Sequence, residues 1–522
     1  MSVMETTENC RFINPGTVYL VGAGPGDPGL ITVKGLHKIR TADVIVYDYL
    51  AGTRIMEEAR PDAELIYVGK MGKDHTVEQV DINDLLIRKA RQGKNIVRLK
   101  GGDPYVFGRG GEEAEELVAA GIPFEVVPGV TSAIAAPAYA GMPVTHRDHA
   151  SMATFITGHE DPNKNESAID WDVLARNPGT LVFLMGIKNL SNISKSLIKH
   201  GKSSKTPAAL IRWGTTPQQV SIVSTLEDLP SEAERLGIKP PAVLVVGSVA
   251  LLGKSLNWFE KKALFGKRVI ITRSREQSGK MAEKISEQGG DPILFPTITI
   301  MDPEDFKPLD ESISRIGCFD WVIFTSVNGV DRFFRRFFTI REDIRDMAGP
   351  KIGAIGPVTA SAIRNYGLKV DLLAKEFVAE GVLRLLSDKE VRGKRFLIPR
   401  AEKAREILPE GIKHIGGEVE VVTVYRTGLP SATDVDKISR MLDKKEIHAV
   451  TFTSSSTVTH FVEMLRGTDL NTLLKGVAVA SIGPVTSDTA RRNGLQVDVE
   501  ASEYTVDGLV RSIEEYFKVT RA

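Results

Sequence analysis

Short runs of β-branched and aliphatic residues recur at Val18–Val21, Val44–Tyr47, Ile96–Leu99, Leu181–Met185 and Val243–Val246, with stretches of helical periodicity between them. Strands alternating with helices in this way predict α/β architecture with largely parallel sheets. Glycine and proline cluster around Pro137–Pro143, which predicts one lobe over about residues 15–140 and a second over about 141–260. The pattern changes near Ala263-Leu-Phe-Gly266, and from there the sequence repeats itself. Gly266-Lys-Arg-Val-Ile-Ile-Thr-Arg273 returns as Gly393-Lys-Arg-Phe-Leu-Ile-Pro-Arg400, and Ile355-Gly-Pro-Val-Thr359 as Ile482-Gly-Pro-Val-Thr486, both at an offset of 127 (393 − 266 and 482 − 355). Phe324-Thr-Ser326 likewise returns as Phe452-Thr-Ser454. Two copies of this length are too long for a solenoid and predict two similar α/β lobes with a cleft between them.

The length of 522 residues exceeds what one core sustains, about 250–300 residues, so several domains are expected. The 67 basic and 67 acidic residues cancel, which leaves no global field for nucleic acid or a membrane surface. Any polyanionic ligand must be met by local clusters. Cys10 and Cys318 cannot build a disulfide framework, and no Cys/His cluster suggests a metal. The opening residues 1–14 read as a polar tail unlike a signal peptide. The longest apolar run, Ala242–Gly253, is too short to span a bilayer. A cytoplasmic protein is expected.

Chemistry concentrates in two glycine-rich turns. Val18-Tyr-Leu-Val-Gly22-Ala-Gly24-Pro25-Gly26-Asp27 runs from a strand into a turn, but a dinucleotide fingerprint needs glycine where Asp27 stands. Pro25 also removes an amide that a pyrophosphate would use. The loop suits close backbone approach to a ligand that need not carry phosphate. Leu99-Lys-Gly101-Gly102-Asp103-Pro104 is a second such turn, and two of them at strand C-termini frame the crevice where open α/β sheets bind ligands. Asp48 ends the strand Val44-Ile-Val-Tyr-Asp, either as a solvated strand-end carboxylate or as a ligand group; Lys70, in Val68-Gly-Lys70, is by default a surface lysine.

These turns, with Asp48, Lys70 and Pro128-Gly-Val-Thr131-Ser132, closely resemble the uroporphyrinogen-III C-methyltransferase family over about residues 15–260. The resemblance implies two lobes with S-adenosylmethionine between them, transfer of methyl groups to a reduced tetrapyrrole to give precorrin-2, and a homodimer. It implies that Gly101, Gly102 and Asp103 line the cofactor site together with Pro25, Val106, Thr131, Ser132, Met185 and Gly214. Many family members carry Ala at the Ser132 position and Ile at Val106, both small changes. Asp48 is then the general base: methylating a pyrrole carbon leaves a cation that must shed a proton, which a positioned carboxylate can take. Lys70 is a proton donor or pairs with a substrate carboxylate. Arg109 and the stretch Thr145-His146-Arg147-Asp148-His149 are either solvated loops or clamps for the substrate's acetates and propionates.

The duplicated part, about 264–522, resembles uroporphyrinogen-III synthase through Ile323-Phe-Thr-Ser326, the two Ile-Gly-Pro-Val-Thr turns, Val424-Tyr425-Arg-Thr427 and Phe452-Thr-Ser-Ser-Ser456. That family crosses between its lobes twice. Here the crossing strands are expected at Ile293–Ile300 and Glu418–Thr427, which gives lobe one as 264–297 plus 424–522 and lobe two as 298–423. Tyr425 either assists departure of the bilane hydroxyl or is a strand tyrosine. Thr359, Thr486, Ser326 and Ser455 open helices, where N-capping or carboxylate binding is expected.

The sequence thus reads as a bifunctional enzyme that cyclises hydroxymethylbilane and methylates the product, feeding sirohaem or cobalamin. It has small-molecule tetrapyrrole substrates, no nucleic-acid or membrane partner and no metal. A methylase of a later corrin intermediate, joined to a degenerate binding module, stays open. No nucleotide fingerprint for a dehydrogenase-chelatase domain is found.

Overall fold

The computed structural model describes residues 14–52, 54–69, 78–158, 169–374, 379–387, 390–430 and 434–520. Lys70 lies outside the described residues. The chain divides into two compact units, Met1–Gly266 and Lys267–Ala522.

In the first unit, β1 (Val18–Gly22), β2 (Val44–Tyr47), β3 (Glu64–Tyr67), β4 (Ile96–Lys100) and β5 (Phe124–Val127) form a parallel sheet of order β3-β2-β4-β1-β5. Helices pack on both faces, so the interior strands are largely Val, Ile and Leu, with Arg98 and Lys100 of β4 as buried exceptions. The second sheet holds β6 (Ala153–Thr157), β7 (Thr180–Leu184), β8 (Pro207–Arg212), β9 (Val220–Thr225) and β10 (Ala242–Val246), ordered β6-β7-β10-β8-β9. Only β6 and β7 run parallel; the other pairs are antiparallel. This departs from the parallel expectation for a covalent reason. The connection from Arg212 to Val220 is too short for a crossover, so β8 and β9 close as a hairpin.

The helix Ser132–Tyr139, placed in the first lobe by the punctuation at Pro137–Pro143, packs into the core of the second sheet. Its Ala133 and Ala136, with Ala140, lie among Val182, Ala209, Val243 and Val245. The small side chains allow a close approach: a Cβ on Gly214 would stand 2.4 Å from that of Ala136. The helix is therefore a bridge carrying the end of one sheet onto the other.

The strands of the second unit are β11 (Arg268–Ile271), β12 (Asp291–Leu294), β13 (Thr299–Met301), β14 (Trp321–Phe324), β15 (Lys351–Ala354), β16 (Leu372–Leu373), β17 (Arg395–Ala401), β18 (Glu418–Gly428), β19 (Ala449–Phe452), β20 (Ala478–Ser481) and β21 (Val499–Glu500). One sheet is parallel, ordered β12-β11-β19-β20-β21. The other is ordered β13-β18-β17-β14-β15-β16, with β13 alone antiparallel to its neighbour. The first lobe is discontinuous, and β18 stays in the second sheet to Gly428, so the chain returns to the first lobe beyond it. Buried Thr297 anchors the outward crossing by donating to Thr272 and Thr457 carbonyls, both at 3.1 Å.

Candidate functional site

In the first unit the two glycine turns are clasped together. Gly102 N–H donates to Gly24 O at 2.7 Å and Gly24 N–H returns a bond to Gly102 O at 3.2 Å. Gly22 and Gly129 pack against this pair so closely that a Cβ on either would fall within 2.6 Å of neighbouring backbone. Gly102 itself adopts φ +69°, and a Cβ there would meet only Ser132 N and Thr131 Cα, each at 3.8 Å. It faces the opening of helix Ser132–Tyr139, which Thr131 caps by accepting from Ala133 N–H at 3.3 Å. Pro25 sits between two glycines with left-handed φ, Gly24 (+79°) and Gly26 (+145°). Asp103 turns inward. Its Oδ1 accepts from Tyr105 and Val106 amides at 2.8 and 3.1 Å and its Oδ2 from Gly129 N–H at 3.0 Å, so it ties the loops together.

Residues of the second sheet come up to the same loops. Asp27 N–H donates to Thr215 Oγ1 at 3.1 Å, and Tyr139 O–H donates to Asp27 Oδ2 at 2.7 Å. Burial and that carboxylate push the Tyr139 phenol above its usual range. Val106 packs on the core beneath helix Ser132–Tyr139. Met185, itself a predicted position, and Thr215, next to the predicted Gly214, hold left-handed φ of +58° and +71°. Non-glycine residues seldom adopt this conformation, and it concentrates at ligand sites. Gly214 is required by its contact with Ala136, independently of any ligand.

Asp48 follows β2 and accepts from Leu50 N–H at 3.1 Å. Arg98 Nη2 donates to its Oδ2 at 3.3 Å. Arg98 and Lys100, two apart on β4 and hence on one face, both reach Glu113 of the helix Gly110–Ala119, at 3.1 and 2.8 Å. Gln79 adds a third bond to Glu113 Oε1 at 3.1 Å, while the buried Oε2 has no partner among the described residues. The three charges are almost sealed from water, at 3%, 4% and 0% exposure for Arg98, Lys100 and Glu113. Burial, reinforced by the Arg98 charge, pushes the Lys100 ammonium below its ordinary value against the pull of Glu113. Arg109 is committed to a surface pair with Glu112, at 2.7 Å. Tyr49, the next residue after Asp48, meets the Trp213 ring edge-on at 5.9 Å.

In the second unit, the hydroxyls of Tyr425 and Ser326 lie 3.3 Å apart. Ser326 also accepts from Gly329 N–H at 3.0 Å and so caps the helix Val327–Ile340. Thr359 and Thr486 are buried in the first turns of their helices, but Gly356 and Gly483 occupy the capping positions, which corrects the N-capping expectation for the two threonines. Ser455 bonds Thr489 Oγ1 at 2.8 Å, while Ser454 caps the helix Ser455–Met464. The candidates fall at strand C-termini in both lobes: Ser326, Thr359 and Tyr425 in one, Ser455 and Thr486 in the other. The sequence reading missed Arg98, Lys100, Glu113, Asp27 and Tyr139. Charges at alternate positions of a strand ordinarily mark a wet face, so only the three-dimensional pairing reveals the first three.

Two family models match the chain: "Tetrapyrrole (Corrin/Porphyrin) Methylases" over residues 17–230 and "Uroporphyrinogen-III synthase HemD" over residues 279–511. The "Porphyrin biosynthesis protein HemD" of Ruminiclostridium josui is 37% identical over 500 residues, 96% of this chain and 98% of that protein. The "Uroporphyrinogen-III C-methyltransferase" of Bacillus subtilis is 43% identical over 355 residues, covering 68% of this chain and 72% of that protein. The "S-adenosyl-L-methionine-dependent uroporphyrinogen III methyltransferase" of Methanosarcina barkeri is 57% identical over 239 residues, 46% of this chain and 94% of that protein.

Proposed function

Because the chain belongs to the porphyrin-biosynthesis family that joins a tetrapyrrole methylase to a uroporphyrinogen-III synthase, we propose that its second unit cyclises hydroxymethylbilane to uroporphyrinogen III. Its first unit then methylates that product twice, using S-adenosylmethionine, to give precorrin-2 for sirohaem or cobalamin. The observation that carries the methyltransferase reading is the clasp of Gly24 and Gly102, which leaves the side-chain-free Gly102 facing the helix at Ser132. A Cβ there would stand in the gap that Gly102 leaves open before Ser132 and Thr131, 3.8 Å from each, so the residues fit a ligand laid against backbone. Pro25, Gly101, Gly102, Val106, Thr131, Ser132, Met185 and Gly214 would hold the cofactor, with Asp103 keeping their loops in place. When bound, the cofactor supplies a methyl group already activated on a sulfonium.

The chain's own part is alignment and proton removal. Asp48 accepts the proton that the cationic macrocycle sheds once a ring carbon has been methylated, and Arg98 keeps that carboxylate turned to one side of the strand end. Lys70 donates a proton or pairs with a substrate carboxylate. In the second unit Tyr425, hydrogen-bonded to Ser326, assists departure of the bilane hydroxyl, and Thr359, Thr486, Ser326 and Ser455 bind substrate side chains. A cytoplasmic homodimer formed through the first unit belongs to the same reading and rests on the family likeness. The two activities are tested separately. Uroporphyrinogen III with methyl-labelled cofactor must give labelled product, and hydroxymethylbilane without cofactor must give the type III isomer. Spontaneous type I product alone would remove the synthase half of the proposal.

A further inference from the structure

The duplication in the second unit places two arginines in equivalent positions, Arg273 just beyond β11 and Arg400 near the end of β17, and their surroundings differ. Arg400 is neutralised: it pairs with Glu406 and donates to the Arg405 carbonyl at 3.0 Å. Arg273 has no ion pair among the described residues. Its hydrogen bond runs from Nη2 to Gln277 Oε1 at 3.0 Å, and its buried Nε, like that of Arg400, has no partner among the described residues. Burial, with no anion to oppose it, pushes the guanidinium below its ordinary value.

The next residue shares the deficit. Ser274 stands at the N-cap of the 13-residue helix Arg275–Glu287, yet its buried hydroxyl neither caps the helix nor finds another partner among the described residues. Ser326 and Ser454 do cap theirs. In the second copy Ala401 follows Arg400, so that site has no hydroxyl at all. Gln277 in turn hydrogen-bonds Asn328, on the helix Val327–Ile340 of the other lobe. Arg273 therefore lies where the two lobes of this unit meet, the region where the duplication predicts a cleft.

A desolvated cation without an anion is costly, and an uncapped helix N-terminus beside it adds further positive potential. A single carboxylate satisfies the guanidinium, the serine hydroxyl and the first helix amides together. We infer that Arg273, Ser274 and the opening of helix Arg275–Glu287 form a carboxylate-binding site that takes an acetate or propionate arm of the linear tetrapyrrole. The second copy has closed the same site with Glu406. This inference rests on the proposed synthase activity.

The test uses the full chain without methyl donor and follows formation of the type III product across a series of hydroxymethylbilane concentrations. Arg273→Gln should raise KM about ten- to hundredfold, as loss of a charge-assisted bond does, with kcat little changed. Its thermal midpoint should hold or rise, because an unpaired cation has been removed. Arg273→Lys, which keeps the charge but loses the planar fork, should give an intermediate KM. A folded Arg273→Gln with wild-type KM overturns the inference. So does a lowered midpoint or a failure to fold, either of which marks a structural arginine. Failure of the wild-type chain to make the type III isomer overturns the synthase reading, and this inference with it.

Discussion

Arg98 reaches Asp48 across 3.3 Å from a position that water barely touches, with its other edge bonded to Glu113. The proposed base is thus held from below by a cation that cannot wander. Asp48→Asn preserves the shape of the strand end and its bond to Leu50 but removes the proton acceptor. The account expects methyl transfer to slow by about 10²–10⁴ with cofactor affinity unchanged. Single-turnover rates and calorimetric titration check the two halves of this expectation; an unchanged rate would return Asp48 to a strand-end carboxylate.

Glu113 is the anion on which two buried cations depend. Glu113→Gln should destabilise the first unit by about 3–5 kcal/mol, because Lys100 would then lie buried without an anion and Arg98 would keep Asp48 alone. Chemical denaturation of the full chain measures this as an earlier unfolding step. Adding Lys100→Met to Glu113→Gln should recover part of the loss, since the stranded ammonium is gone.

Gly102 combines φ +69° with an approach to the Ser132 backbone. Gly102→Val would place a branched side chain in the left-handed region, at a cost of about 1–2 kcal/mol, and would fill the cradle. Cofactor binding should fall below detection by calorimetry while type III product still forms from hydroxymethylbilane. Wild-type affinity in the folded variant would contradict the placement of the cofactor.

Much of this was legible in the sequence because parallel strands are short apolar runs whose C-terminal turns announce themselves by glycine. Asp48, Gly102 and Thr131 stand out as candidates for that reason, and the duplication predicts the two sheets of the second unit. Pro137 reads as a boundary that ends the first lobe after Ser132–Tyr139, whereas alanines at Ala133 and Ala136 pack this helix onto the second sheet. Ser455 was chosen from its serine run, but the capping geometry matches Ser454 with Ser326. Arg98 and Lys100 escaped notice because burial of a charge is settled by a distant partner, here Glu113, which no local pattern records.

His448 supplies a pH test for the second unit. Its Nδ1 accepts from Arg268 N–H at 3.0 Å, so the native state needs that nitrogen unprotonated. Burial and the nearby Lys267 and Arg268 charges hold its folded pKa below the ordinary value of 6.5. Between the lowered value and 6.5 the unfolded chain binds more protons than the folded one, so stability rises with pH through that window and levels off above it. Thermal midpoints should drop on acidification below about 6.5, and His448→Asn should flatten that part of the profile. An equally steep acid limb in the variant would assign the loss to other groups.

The central claim is that one chain carries both reactions in sequence. Its most direct test is to supply hydroxymethylbilane and S-adenosylmethionine to the intact protein, with no other enzyme, and identify the product by mass and isomer type. The account expects a dimethylated type III tetrapyrrole, precorrin-2, in wild type, and unmethylated uroporphyrinogen III in Gly102→Val. Methylated product only when uroporphyrinogen III is supplied ready-made, with hydroxymethylbilane passing to the type I isomer, would contradict it.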